Sequence, residues 1–536
     1  MFNLAIENEV RNKTENPLNI TIGVNRELTL TDAKYLAHDP QLKIILSEES
    51  HPAIAYSHEL LKQLTAERLP VYGLNTNFGD QVRYMDAQLK TDDSALYYNS
   101  INARQENIIK SLACSQGYIV SPEIIRVTMM LRAHCLAQGY SGVSPETISA
   151  LLAYLNAGIT PIVRCYGSIG ASGDLIPLAS IAACLLGENV NVMYQGEIMP
   201  APKAMELANL AKFKPQFRDG LALINGTSFM TAIASLSLYD LKRLFNQALS
   251  AIAMALESLL VISSAYHPLV HHLKYQLGEN HVNAFITNFW KGSQLLTDLD
   301  ELRSADSAIK PVQDYYSLRA VPQGFGPLQE NLNTATKWIE SEMNSVNDNP
   351  IIDMVENKIH HTANFMGFYV TEACDLLKID IAQASTWIHA LLANMVHPRK
   401  NHGLPVNLAI DPDNHNGFRS IQLLAAALTV QNRKFAQAHQ AFSLPTEGDN
   451  QDVNSLGTHA ALDFQESVAN LERLTALLFL AAAQALELRG IEKASHKAQE
   501  IYRLIREHSP TLADCRPMSE EIITLVQLLK DERIPC

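Results

Sequence analysis

Gly167-Ser168-Ile169-Gly170-Ala171-Ser172-Gly173-Asp174-Leu175-Ile176-Pro177-Leu178-Ala179 is the most informative stretch of this 536-residue chain. Its centre, Ala171-Ser172-Gly173, can become an electrophile made from backbone. Attack of the Gly173 amide nitrogen on the Ala171 carbonyl closes a five-membered ring. Loss of two waters, one carrying the Ser172 hydroxyl, then leaves an exocyclic methylene conjugated to that ring. Each residue type suits its part. Glycine supplies an unhindered nitrogen and permits close backbone approach, alanine puts little bulk at the closing carbonyl, and serine brings the leaving hydroxyl. The run also predicts a turn feeding a helix, with Asp174 as N-cap and Pro177 in the first turn. That helix N-terminus would carry partial positive charge and make a nearby methylidene more electrophilic. Gly170 to Asp174 lacks the last glycine of a nucleophile elbow, and no Gly-Lys-Ser/Thr follows to make a phosphate loop.

Composition narrows the class. Hydrophobic residues make up 47% and charged residues 18%, as in globular rather than disordered chains. A net charge of -14, with no dense Lys/Arg cluster, argues against nucleic-acid and membrane-surface partners. Met1 to Val10 carries Glu7 and Glu9 and no long apolar run, so no signal peptide is expected. The longest apolar segment, Leu474 to Ala485, is too short for a bilayer and is interrupted by Thr475 and Gln484. Seven cysteines without a C-x-x-C pair suggest free thiols in a reducing compartment, the cytoplasm by default.

Helix signals dominate. Ser121-Pro122-Glu123 and Ser144-Pro145-Glu146 each place a cap, a first-turn proline and an acid before an apolar-periodic stretch. Leu332, Ala335, Trp338, Ile339 and Met343 keep a spacing of three and four. Segments 235–265, 368–397, 418–442 and 457–488 are rich in Ala, Leu, Ile and Met, as expected of helices buried on most sides. Ile44 to Leu46 and Val190 to Met193 read as short strands. The expected fold is therefore mainly α. A mixed, loop-rich N-terminal part, residues 1–225, is followed by a long helical bundle, residues 226–536, extended by association with other subunits.

The Gly167–Ala179 run closely resembles the signature of the histidine and aromatic amino-acid ammonia-lyases, whose prosthetic group is 4-methylidene-imidazol-5-one (MIO). The resemblance extends from about residue 20 to about residue 510 and implies a homotetramer. It also implies an MIO formed from Ala171, Ser172 and Gly173, with no external cofactor. Val71-Tyr72-Gly73-Leu74-Asn75-Thr76-Asn77-Phe78-Gly79 resembles the family's Tyr-Gly-x-x-Thr-Gly-Phe-Gly loop, which puts Tyr72 at the position of the base that takes the β-proton. An ordinary tyrosine titrates near 10, so this one must be shifted down or helped by positive potential. Asn77 stands where the family has glycine; asparagine tolerates positive φ, so the loop can still form.

Further segments carry the same resemblance. Asn225, in Leu223-Ile224-Asn225-Gly226-Thr227, would donate to the substrate carboxylate or the ring oxygen. Tyr315-Tyr316-Ser317-Leu318-Arg319, with Gln323 after it, resembles a second active-site loop. There Arg319 would clamp the carboxylate bidentately, which arginine does better than lysine. Tyr316 would assist elimination, from a neighbouring subunit. Asn344 to Pro350 matches another family segment. Phe365, in Asn364-Phe365-Met366-Gly367, is poised against substrate or ring, with Thr362-Ala363 replacing the usual Gly-Gly. Glu447, in Glu447 to Gly457, lies by resemblance near the substrate amine, and Gln451 lies in the pocket. His267, His271 and His272 are close in sequence, but Pro268 and the missing glutamate make a poor zinc motif; they read as core or interface residues, and no metal is expected.

Ser111-Leu112 occupies the family's ring-recognition pair: Ser-His in histidine lyases, His-Leu in many tyrosine lyases, Phe-Leu in phenylalanine lyases. Leu112 removes the histidine-binding imidazole, and Gln451 removes a carboxylate that histidine lyases keep. Arg419 puts a cation where they have methionine, as the phenylalanine enzymes do with lysine. Ser111 is small and can bond a hydroxyl. The resemblance thus implies an enzyme converting an aromatic L-amino acid, L-phenylalanine first, to trans-cinnamate and ammonia. The alternatives are a tyrosine ammonia-lyase, an aromatic 2,3-aminomutase, or a silent helical scaffold.

Overall fold

In the computed structural model, residues 18–83, 93–298 and 312–536 are described. The chain forms two compact units. One gathers Met1–Ala232, Glu340–Gly367 and Leu444–Asn454; the other gathers Ile233–Ile339, Phe368–Ser443 and Ser455–Cys536.

In the first unit, short sheets brace a set of medium helices. Strands Asn19–Ile22 and Lys43–Leu46 pair in parallel, with Ile20 opposite Ile44. Asn191–Tyr194 pairs antiparallel with both Thr160–Pro161 and Glu197–Pro200. A hairpin joins Ile351–Asp353 to Lys358–His360. The Ser-Pro-Glu signals correspond to the helices Pro122–Ala137 and Pro145–Ala157, each with proline in its first turn. In Pro122–Ala137 every residue from Ile124 to Ala137 is buried, including Arg126, Arg132 and His134. A helix enclosed on all sides must pair its polar groups internally, and Arg132 proves central to the site described below.

The second unit is a bundle of long helices. Phe368–Val396 packs against Arg419–Phe435 and Gly457–Arg489. Every residue from Leu474 to Leu486 is buried, so this helix is surrounded by protein along that stretch. Its two polar interruptions are satisfied there. Thr475 donates back to the Leu471 carbonyl at 2.8 Å, and the Gln484 side chain accepts from Arg506 and from the Leu512 amide, each at 3.2 Å. Among the described residues no helix is long and apolar enough to cross a membrane.

Two predicted helices have different bounds. The first runs Ser228–Ser258 rather than 235–265, because Leu260 turns left-handed at φ 55° and a 3-10 turn follows at Ser263–Tyr266. The third stops at Phe435 instead of 442, giving way to a 3-10 turn at His439–Phe442. Of the three neighbouring histidines only His271 is core, held between Glu279 Oε1 at 2.7 Å and the Ala265 carbonyl at 3.1 Å; His267 and His272 are exposed.

Candidate active site

The Ala171-Ser172-Gly173 turn is built into the first unit by contacts that leave it little freedom. Gly173 sits at φ 67°, and a Cβ placed on it would lie 2.2 Å from the Gly226 carbonyl oxygen. Only glycine meets both conditions. The same carbonyl accepts from the Asp174 amide at 2.7 Å, which joins this turn to the Asn225-Gly226-Thr227 segment side by side. Gly226 is equally confined, since a Cβ there would meet Arg132 Nη1 at 2.0 Å. Ser172, buried, donates its hydroxyl to Asn225 Oδ1 at 2.9 Å. A glycine amide in a tight left-handed turn and a serine hydroxyl drawn toward an acceptor are the donor set that ring closure and dehydration need.

Asp174 corrects one expectation. It precedes the helix Leu175–Leu185, yet its side chain makes no cap there. Its carboxylate accepts instead from Ser168 at 2.8 Å and from the Phe229 and Met230 amides at 3.1 and 2.8 Å, capping the helix Ser228–Ser258. Asp174 thus starts its own helix through its backbone, the Leu178 amide donating to its carbonyl at 3.0 Å, and caps the other helix with its side chain.

Beneath Asn225 lies a buried ionic network that sequence reading missed. Asn225 Nδ2 donates to Asp348 Oδ1 at 3.2 Å and to the Asn349 carbonyl at 3.1 Å. Arg218 grips both Asp348 oxygens, at 2.8 and 2.6 Å, and Arg132 Nη2 lies 3.5 Å away. Burial pushes the Asp348 carboxyl up, but the two guanidiniums outweigh it and hold the group below the ordinary carboxylate range. Glu342 behaves oppositely. Burial raises it to about 7, against the lowering bond from Thr227 and with Asp174 adding repulsion. Asp348 stood inside a quoted motif, whereas Arg218 had no local signal at all.

Tyr72 lies in the Val71–Gly79 loop, half-buried, with its ring edge-on to Phe78. Its hydroxyl accepts from the Gly79 amide at 3.3 Å, and its own amide donates to His361 Nε2 at 3.1 Å. Burial raises the Tyr72 pKa, the Gly79 bond lowers it, and the Glu447 carboxylate raises it further. Glu447 packs directly on Gly79, where a Cβ would lie 2.3 Å from Oε2. Tyr72 and Glu447 are therefore brought together, although 375 positions separate them in the numbering (447 minus 72). Gln451 closes the loop beyond Glu447, its backbone paired with Thr446 and its Oε1 accepting from the Thr446 hydroxyl at 3.0 Å. Asn77 does not take a positive φ; the left-handed positions of this loop fall on Gly73 and Gly79. Thr362, where glycine was expected, donates from its hydroxyl to the Asp348 carbonyl at 3.1 Å and anchors the approach to half-buried Phe365. Ser111 and Leu112 end the helix Ser94–Leu112. Ser111 is exposed, with its hydroxyl turned back to the Ile108 carbonyl at 3.0 Å.

Tyr316, Arg319, Gln323 and Arg419 belong to the second unit. Trp387 Nε1 donates to the Ser317 carbonyl at 2.8 Å and Asn394 donates to the Ser317 hydroxyl at 2.9 Å, fixing the Tyr316–Arg319 turn. Arg319 lies over the Tyr316 ring at 4.9 Å, and both line a cavity of about 380 Å³ with Gln313, Asp314, Tyr315 and His402. Arg319 Nε is buried and has no hydrogen-bond partner among the described residues, which suits an incoming anion. Arg419 is apart from it, exposed at the start of its helix, lining a cavity of about 500 Å³ with Ser420 and Cys515. Gln323 is exposed in the first turn of Val321–Met343.

A helical fold with these motifs defines a carbon–nitrogen lyase, and the comparisons are specific. Residues 28–507 match the aromatic amino acid lyase family. The chain belongs to that family. Histidine ammonia-lyase from Geobacillus thermodenitrificans is 33% identical over 507 residues, covering 95% of this chain and 96% of that protein. The Bacillus subtilis histidine ammonia-lyase is 33% identical over 488 residues, 91% of this chain and 92% of its own. Among solved structures, Pantoea agglomerans phenylalanine aminomutase superposes with a TM-score of 0.88 at 29% identity, covering 95% of this chain and 98% of that one. Tyrosine aminomutase from Streptomyces globisporus gives 0.87 at 28%, with 96% and 98% covered. The names of the curated relatives do not support phenylalanine over histidine.

Proposed function

We propose that the protein eliminates ammonia from an aromatic L-α-amino acid, with MIO formed from Ala171, Ser172 and Gly173. The observation that carries this reading is the cradle of Gly173 against Gly226, with Ser172 bonded to Asn225. When formed, the group supplies an electrophile that makes the amine a better leaving group. The remaining work falls to side chains. Tyr72 takes the β-proton, Phe365 packs on the ring, and Glu447 faces the amine. Arg319 binds the carboxylate, with Tyr316 and Gln323 on the same segment. A small-molecule substrate, a homotetramer and a cytoplasmic setting complete the reading.

The names of the curated relatives favour L-histidine. A second reading rests on this chain's own residues: Leu112 offers no hydrogen bond to an imidazole nitrogen, and with Gln451 and Arg419 it resembles the phenylalanine enzymes. L-Phenylalanine giving trans-cinnamate is that alternative, and the aminomutase neighbours add a β-amino acid as a product to look for. Purified protein incubated with histidine, phenylalanine and tyrosine, with products identified by chromatography, decides among them. The intact chain is expected to weigh two waters less than its sequence, and Ser172→Ala to lose neither. Active wild-type protein of unmodified mass would overturn the MIO reading.

A further inference from the structure

We propose that Asn77 and Arg104 form a latch that positions Tyr72 by holding its loop on the helix Ser94–Leu112; the catalytic consequence rests on the reading of Tyr72 as base. Three side chains of that helix reach the loop. Tyr97 receives a bond from Asn75 Nδ2 at 3.2 Å, and Gln105 Nε2 donates to the Gly73 carbonyl at 2.8 Å. Arg104 Nη1 donates to the Thr76 carbonyl at 2.9 Å and also to Asn77 Oδ1. Positions 97 and 104 lie two turns apart on one face, and 105 is the next residue round the helix.

The Asn77 side chain is what this chain adds at a position where its resemblance to the family implies glycine. Asn77 has no positive φ to accommodate, so the substitution brings no backbone strain. A glycine there would be freer before folding and would offer no side-chain acceptor to the guanidinium. A bond from a charged donor is the stronger kind. The latch also sits between the two points that fix Tyr72. On one side the Gly73 amide donates to Thr76 Oγ1 at 3.2 Å, and that hydroxyl donates to the Asn77 carbonyl at 3.0 Å. On the other side the Gly79 amide donates to the Tyr72 hydroxyl at 3.3 Å. Loosening residue 77 therefore frees both the backbone after Tyr72 and the donor at its oxygen. Ser111 lies two further turns along the same helix face, so the element that carries the latch also carries the proposed ring-recognition pair.

The test uses the full-length protein and its Asn77→Gly, Asn77→Asp and Arg104→Met variants, read by amide hydrogen exchange at Gly73–Gly79 and by steady-state kinetics. Losing a charge-assisted bond should speed exchange in Asn77→Gly and Arg104→Met by about tenfold or more. The same two variants should lower kcat while KM stays within about twofold, because the base and not substrate binding is displaced. Asn77→Asp keeps the acceptor and should retain slow exchange and most of kcat. Unchanged exchange in Asn77→Gly, or an Asn77→Asp variant as loose and as slow as Asn77→Gly, overturns the latch. Should wild-type protein turn over none of the amino acids, the base reading fails while exchange still decides whether the latch exists.

Discussion

In the proposed reaction Tyr72 is given the most demanding chemistry, and its surroundings favour the protonated form. Burial comes first, and the nearby Glu447 carboxylate adds to it, while the Gly79 amide works the other way. A general base contributes about 10²–10⁴-fold. Tyr72→Phe is therefore expected to keep the mass loss of two waters and to lower kcat by at least the lower bound of that range. Near-normal turnover, measured by product formation, would remove Tyr72 from the role. The sign of the Glu447 effect gives a second prediction. A base acts deprotonated, so kcat/KM should rise as pH approaches its pKa. Glu447→Gln removes an anion that raises this pKa, so the rising limb of the pH profile should move to lower pH. A limb that stays or moves upward would mean that the limb does not report Tyr72.

At the scale of elements, the turn at Ala171–Gly173 is held by segments distant in sequence. Asp174 caps a helix that is not its own, and Asp348 returns on the segment after Met343 to bind Arg218 and support Asn225. Replacing one partner of a buried ion pair costs about 3–5 kcal/mol, because the other charge is left without compensation. Asp348→Asn should lower unfolding stability on that order, measured in urea. Part of the folded fraction should also keep its unmodified mass, since Asn225 loses its support. Full stability would show that Arg218 is satisfied by the Ser141 carbonyl, which it also reaches at 2.7 Å.

Over the whole molecule, the second unit leaves apolar side chains in water. Leu423 and Val430 on Arg419–Phe435 are 60% and 57% exposed, and Tyr316 is 74% exposed. Exposed apolar surface of this kind marks association sites. The protein is expected to sediment as four copies of the 536-residue chain. A monomer that retains full activity would refute the proposal that a neighbouring subunit contributes Tyr316.

The amino-acid sequence by itself determined the helical class and the long buried helices, because apolar residues at every face of Leu474–Leu486 admit no solvent-facing solution. It also supplied the Ala171-Ser172-Gly173 triplet, whose residue types suit ring closure, while the groups that hold that turn come from segments distant in sequence. Proline after serine marked two helix starts for a local reason. Tertiary structure alone decided which distant groups meet. Glu447 against Gly79, His361 on the Tyr72 amide, and Arg218 with Arg132 around Asp348 have no spacing to reveal them. The electrostatics follow the same division. Asp348 and Glu342 lie six positions apart with similar side chains, yet guanidiniums pull one down and burial pushes the other to about 7. A carboxyl's charge depends on what surrounds it in space, and that is settled only when the chain has folded.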